Sequence, residues 1–237
     1  MEGAARTRAR YGRTPYVADV DRAPVAVGRG GTDEGPERLS ALSDGVFAIA
    51  MTLLVLDVSV PRGLDDAAFH EALRQALPNV GAYALSFAVI ANFWSDHRRV
   101  LGGVPRVDAS VVGLTLLGLA LIALLPFPTS LLAEYGYEPL AVAIYSGSVA
   151  ATNAVHLALL RTSHKRLGPP PDPLTARVRR LDAADLGSSV VVFGVAVPLA
   201  FVSPNVAMFF WIILVPAKRV IGGKRRRATA AGGDGTF

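Results

Sequence analysis

The chain has 237 residues, of which 51% are hydrophobic and only 18% charged, and it carries a formal net charge of +5 with a mean hydropathy of +0.40. Counting Gly and leaving out Tyr, about 58% of the chain is apolar against roughly 45–50% for soluble domains, an excess that argues against an ordinary soluble enzyme. The absence of cysteine excludes disulfide staples, thiolate metal sites and a cysteine nucleophile.

Residues 1–37 are rich in Arg, Gly, Ala and Pro, with Arg6, Arg8, Arg10 and Arg13 close together. They lack the apolar core of a secretory signal, so they are expected to form a disordered basic tail on the cytoplasmic side. Only Tyr11 and Tyr16 interleave with the arginines, too few for the stacking platform of a nucleic-acid-binding arm. No nucleic-acid partner is expected.

A helix crossing about 30 Å of hydrocarbon needs roughly 20 apolar residues. Gln75 to Ser95, Ala109 to Ala133 and Pro139 to Leu160 contain no Asp, Glu, Lys or Arg. Leu186 to Ala217 is uncharged for 32 residues, too long for one span, and Ser203-Pro204-Asn205 is a turn signal inside it. An earlier apolar run, Leu39 to Pro61, carries Ser43, Asp44, Thr52 and Asp57. The expected architecture is an all-α integral membrane protein with a six-helix domain over 38–221 (spans near 39–60, 76–96, 107–127, 138–160, 182–202 and 204–221) and a basic tail over 222–237.

The 24 Lys and Arg test this layout, because cationic residues gather in cytoplasmic loops. Six spans with both termini cytoplasmic place 22 of the 24 inside, leaving only Arg62 and Arg74 outside. Five spans would put the last cluster, Lys218 to Arg227, on the wrong side. The multi-pass chain is therefore assigned to a cytoplasmic membrane, where its terminal cations contact anionic lipid at about 1 kcal/mol each. No internal repeat supports an inverted-repeat transporter, so a symmetric pore requires several copies of the chain.

At 100° per residue, with Ile49 at zero, Gly45 falls at about −40°, Thr52 at about −60°, Leu53 at about +40°, Leu56 at about −20° and Val60 at about +20°. This stripe fits two readings: a packing seam in which small residues let a neighbouring helix approach, or a pore wall of stacked aliphatic rings with a hydroxyl ligand. Periodicity does not choose between them. Asp44 points away from the stripe, and a carboxylate at membrane depth requires partners. The end of the second span offers them at the same level, as Phe93-Trp94-Ser95-Asp96-His97-Arg98-Arg99. The favoured reading is a structural polar network of Arg38, Ser43, Asp44, Trp94 and His97; a proton relay through Asp44 and His97 is the alternative.

The run from Arg38 through Ser43-Asp44-Gly45-Val46-Phe47 to Thr52-Leu53-Leu54-Val55-Leu56-Asp57-Val58 resembles the first-helix signature of the transmembrane-protein-175 family, which includes the endolysosomal potassium channel of animals and its prokaryotic relatives. The resemblance extends to Tyr83, Ser86-Phe87, Phe93-Trp94 and His97, and to Pro126-Phe127-Pro128-Thr129; it weakens after about residue 160. Leu42 stands where the family has Phe, and Thr115 or a neighbour stands where it carries an Asn. The resemblance implies a homotetramer of six-helix subunits, with helix one of each lining a central potassium-permeable pore. Matched position by position, the constricting aliphatic falls on Ile49, further rings on Leu53 and Leu56, and the pore hydroxyl on Thr52. It also implies that Arg38, Ser43 and Asp44 brace helix one against Trp94 and His97.

Elsewhere, Thr152, Asn153 and His156 place polar groups in the fourth span, where interhelical hydrogen bonding is favoured over a metal or pH-sensing site. Trp211, Phe209 and Phe210 are expected to face lipid or a neighbouring helix. There is no His-Glu-x-x-His, no nucleophile elbow and no phosphate loop at Gly222-Gly223-Lys224. The chain is read as a non-enzyme with no metal site and no cofactor beyond a permeant potassium ion, with itself and membrane lipids as partners. Two other functions stay open, a proton-coupled transporter using Asp44 and His97, and a non-conducting scaffold whose basic tails recruit partners.

Overall fold

The structure, a computed structural model, describes residues 34–104 and 107–211. Among these it is helical, with no strand. Helix α1 (Glu34–Leu53) passes into a 3-10 turn (Leu54–Asp57), and α2 (Asp66–Gly102), α3 (Ala109–Leu124), α4 (Pro126–Tyr135), α5 (Pro139–Leu167), α6 (Pro173–Val202) and α7 (Pro204–Trp211) follow. Five helical stretches are long and apolar enough to cross a membrane: Pro36–Leu56, Asp66–Gly102, Ala109–Tyr135, Pro139–Leu167 and Pro173–Val202. The chain is a multi-pass membrane protein. Of the sixth expected span, residues 204–211 are described and the rest lies outside the described residues, as do most of the amino-terminal tail and all of the carboxyl-terminal one.

The helix ends follow local chemistry and run past the apolar runs. Helix α1 starts at Glu34, inside the stretch expected as tail; Pro36 lies in its first turn, where an N–H has no intrahelical acceptor. The second helix begins ten residues ahead of the span expected from position 76, because Asp65 accepts the Ala68 amide at 2.8 Å as an N-cap. Pro78 lies inside α2 without ending it, as membrane helices tolerate when neighbours satisfy the freed carbonyl. Asp108 caps α3 through the Ser110 and Val111 amides, both at 3.0 Å. A break at Leu125 follows, because Pro126 has no N–H to extend the ladder and instead opens α4. Helix α5 ends at Gly168, whose φ of 72° lies in the left-handed region, and Arg179 donates to the Gly168 carbonyl at 2.7 Å. Asp172 caps α6 through the Thr175 amide at 2.8 Å, and Ser203-Pro204 separates α6 from α7.

Helix α5 is the centre of the bundle: 56% of its most apolar window is buried, against 28–33% for the other four spans. It packs along α6 and against α3 and α4, while α1 packs on α2 and α3. Two apolar clusters result. One gathers Phe47, Ile90, Phe93, Ile122, Tyr145 and Phe193; the other gathers Leu39, Val100, Val111, Leu157 and Leu186. On α1, Ser43 lies between Leu39 of one cluster and Phe47 of the other. On α2, His97 lies between Phe93 and Val100. A polar layer therefore sits where the two clusters meet.

Candidate functional site

Helix α1 has two unlike faces. Leu39, Ser43, Phe47, Ala50 and Leu54 are buried against the rest of the chain; stepping at 100° places them between about 80° and 160° from Ile49. The opposite stripe is uncovered. Ile49 is 61% exposed, Leu53 42% and Leu56 70%, and Gly45 and Thr52 are exposed beside them. Thr52 donates its hydroxyl hydrogen to the Ile49 carbonyl at 2.9 Å, which leaves the oxygen lone pairs as its outward chemistry. Leu56 belongs to the 3-10 turn, where the rise of about 2.0 Å per residue stretches the last part of the stripe along the axis.

The buried face is pinned by hydrogen bonds. Trp94 on α2 donates Nε1–H to Asp44 Oδ1 at 2.7 Å, and the Arg98 guanidinium lies over the Trp94 ring at 5.1 Å. Ser43 donates to the Leu39 carbonyl at 2.8 Å and meets His97 Nε2 at 3.0 Å. The other His97 nitrogen, Nδ1, meets His156 Nε2 on α5 at 3.2 Å, and His156 Nδ1 faces the Thr152 carbonyl at 2.9 Å. Aromatic packing holds both imidazoles: Phe47 lies 5.5 Å from His97, and Phe93 stacks on His156 at 5.5 Å.

Of the five residues assigned to a polar network, the structure brings Ser43 together with His97 and Asp44 together with Trp94. Arg38 is exposed on α1 and joins none of these bonds among the described residues. It lies on the stripe side, 11 residues before Ile49 and so at about −20°. Leu42, standing in the Phe position, is half exposed. Thr115 is fully buried on α3, and its hydroxyl has no hydrogen-bond partner among the described residues. The partner of His97 Nδ1 is His156 on α5, which was not assigned to the network. Asn153 bonds the Val149 carbonyl of its own helix at 2.9 Å and Thr152 the Ser148 carbonyl at 2.8 Å, so among the described residues His156 is the member of this polar group whose side chain bonds to another helix.

Two polar groupings were not singled out from the sequence. Arg99 is gripped by Asp96 at 2.5 Å, Asp182 at 3.1 Å and Asp185 at 3.8 Å, which ties α2 to α6. Ser86 meets the Tyr145 hydroxyl at 3.1 Å and accepts from Thr129 at 2.8 Å, linking α2, α5 and α4. The first was hidden because Arg99 counted as a loop charge; Asp182 and Asp185, three residues apart on α6, were its available signal. Outside the apolar bundle, hydrogen bonding and ion pairing to Arg166, with the Val111 and Ser110 amides, hold the Asp108 carboxyl below its usual range. The Thr175 hydroxyl and amide do the same for Asp172.

The fold is that of a multi-pass helical membrane protein, with a first helix hydrogen-bonded to α2 on one face and uncovered along an aliphatic stripe on the other. Comparison with known proteins makes this specific. The family model described as endosomal/lysosomal potassium channel TMEM175 matches residues 38–126. A potassium channel of Streptomyces collinus is 41% identical over 174 residues, covering 70% of this chain and 82% of the relative. One from Chamaesiphon minutus is 40% identical over 124 residues, covering 48% of this chain and 61% of that one, or about three fifths of its length. The crystal structure of a lysosomal potassium-selective channel TMEM175 homologue from Chamaesiphon minutus superposes with a TM-score of 0.67 at 28% identity, covering 79% of this chain and 98% of that one. The chain belongs to the TMEM175 family.

Proposed function

We propose that the chain is one subunit of a homotetrameric, potassium-selective channel of the cytoplasmic membrane, with six spans, both termini inside and α1 of each subunit on the central axis. The observation that carries this reading is the bare stripe of α1. Ile49, Leu53 and Leu56 are exposed although they are large and apolar and follow a helix whose other face is tied to α2 by hydrogen bonds. The names of the bacterial relatives supply the ion.

Four Ile49 side chains converging on an axis form a hydrophobic constriction at which a hydrated cation loses part of its water. Ile49 and Leu53 are four residues apart, so their rings lie about 6 Å apart along the pore. The Thr52 oxygen, its hydrogen already committed to the Ile49 carbonyl, offers lone pairs to a partly dehydrated ion beside the constriction. Conduction is passive, and selectivity comes from pore width and these ligands. The anchoring bonds of Ser43 and Asp44 hold the stripe in register against the rest of the subunit.

Because the chain has no cysteine, a single Ile49→Cys substitution tests the axis directly. Oxidation should cross-link subunits through position 49 in high yield. Val191→Cys, 62% exposed on α6, should not cross-link. Equal or absent cross-linking at both positions would remove α1 from the axis.

A further inference from the structure

Four contacts join five groups in the buried polar layer: the Leu39 carbonyl, the Ser43 hydroxyl, the His97 ring, the His156 ring and the Thr152 carbonyl, at 2.8, 3.0, 3.2 and 2.9 Å. Each link needs one hydrogen between two electronegative atoms. Both end groups are carbonyls, which only accept, and the three groups between them carry one hydrogen each when neutral. Three hydrogens fill three links, so the neutral chain leaves one link open. One additional proton closes all four. Ser43, His97 and His156 are 1%, 2% and 1% exposed, so no bulk water completes the missing link.

We propose that the Ser43–His97–His156 chain is a binding site for one proton per subunit, held between His97 Nδ1 and His156 Nε2 and counter-charged by Asp44. In the filled state His97 donates from Nε2 to Ser43, Ser43 donates to Leu39 and His156 donates from Nδ1 to Thr152, with the single remaining proton between the two rings. In the empty state the open link settles at Ser43–Leu39: the hydroxyl rotates to donate to His97 Nε2, His97 keeps its one hydrogen on Nδ1 and donates it to His156 Nε2, and His156 still donates from Nδ1 to Thr152. The site therefore writes its occupancy onto α1.

The surrounding charges fit a monocation. Asp44 is next to Ser43 on α1, and the bond it accepts from Trp94 brings no charge. On α2, Arg98 is drawn onto the Trp94 ring and Arg99 is balanced by Asp96, Asp182 and Asp185, the last two from α6. Helix α3, whose Gly118 passes close to His156, carries no ionisable side chain. On α5 itself the nearest ionisable neighbour of His156 is Arg161, five residues on.

Nitrogen-15 magnetic resonance of the full chain in bilayers reads this without any ion flux. The His70→Gln/His164→Gln background leaves His97 and His156 as the only histidines. Titrated downward from pH 8, the pair should take up one proton in one step, with His97 Nε2 protonated after the step and no second imidazolium while the protein stays folded. Two imidazoliums, or no uptake before unfolding, would overturn the proposal. His156→Gln provides the second arm, because its amide donates to His97 Nδ1 without an added proton: the step should vanish with the protein still folded. A His97 that still titrates in that variant also overturns the shared site.

Discussion

Ser43→Ala is the cleanest perturbation of the anchor between α1 and the rest of the subunit. It removes no volume beyond a hydroxyl, and Ala is the better helix former. The local bond to Leu39 matters little, since that carbonyl stays in the helix ladder. The loss falls on His97, which is 2% exposed and is left with Nε2 facing a methyl group. A buried polar group stranded in this way costs about 1–3 kcal/mol. In a membrane the reference state also finds partners, and measured interhelical bonds average nearer 0.6 kcal/mol. The two together place the expected destabilisation at about 1 kcal/mol, a factor of roughly 5 in the folded ratio. Reversible unfolding in mixed micelles, run as a double-mutant cycle with His97→Phe, isolates the contact. A coupling of about 0.5–1 kcal/mol is expected. A coupling within experimental error of zero would show that Ser43 and His97 do not hold the helices together, and the pinned-face account of α1 would fail with it.

Trp94→Phe keeps the ring under Arg98 but removes the N–H that Asp44 accepts; it should cost about 1–2 kcal/mol in the same assay, with most of that cost disappearing in the Asp44→Asn background. Arg99→Gln leaves three carboxylates facing one another. Exposed pairs are worth about 0–1 kcal/mol and breaking buried ones costs about 3–5 kcal/mol; at 13–22% exposure this cluster should fall between, and a variant as stable as the parent would contradict its role in joining α2 to α6. Acid should loosen the starts of α3 and α6 last. Asp108 and Asp172 have folded carboxyl pKa values below their unfolded ones, so their capping contribution is complete above about pH 4 and is lost only as pH falls through the lower folded value. Amide protection at Val111 and Thr175 should persist at pH 5, and Asp108→Asn should abolish the acid dependence at Val111; loss near neutral pH would contradict the cap assignment.

Much of the bundle was legible because a membrane simplifies the code. Uncharged runs mark the spans, and Ser203-Pro204 marks the break between α6 and α7 as the residue chemistry dictates. Polar residues at membrane depth point to partners at the same depth, which is how Ser43 and Asp44 lead to His97 and Trp94. Depth says nothing of lateral order, however, so the packing of α5 beside α2 was illegible, and His156 with it. The length of α2 was also hidden, since the cap at Asp65 lies beyond the apolar run that marks the span. The position of Arg38 was within reach of the same 100° arithmetic that found the stripe: its angle places it beside Ile49, away from Ser43. The early end of α1 at Leu53 has no sequence signal in a run of Leu and Val, where a 3-10 turn over Leu54–Asp57 takes over.

The central claim is that the bare stripe of α1 is an ion pathway narrowest at Ile49. Its most direct test is single-channel recording of the purified full chain in planar bilayers, with potassium on one side and sodium on the other. Discrete openings are expected with a reversal potential displaced toward that of potassium, and an Ile49→Asn channel should conduct more and discriminate less while the subunit stays folded, because position 49 is 61% exposed on the subunit. A reversal potential near zero in the parent protein, or an Ile49→Asn channel indistinguishable from it, would contradict the claim.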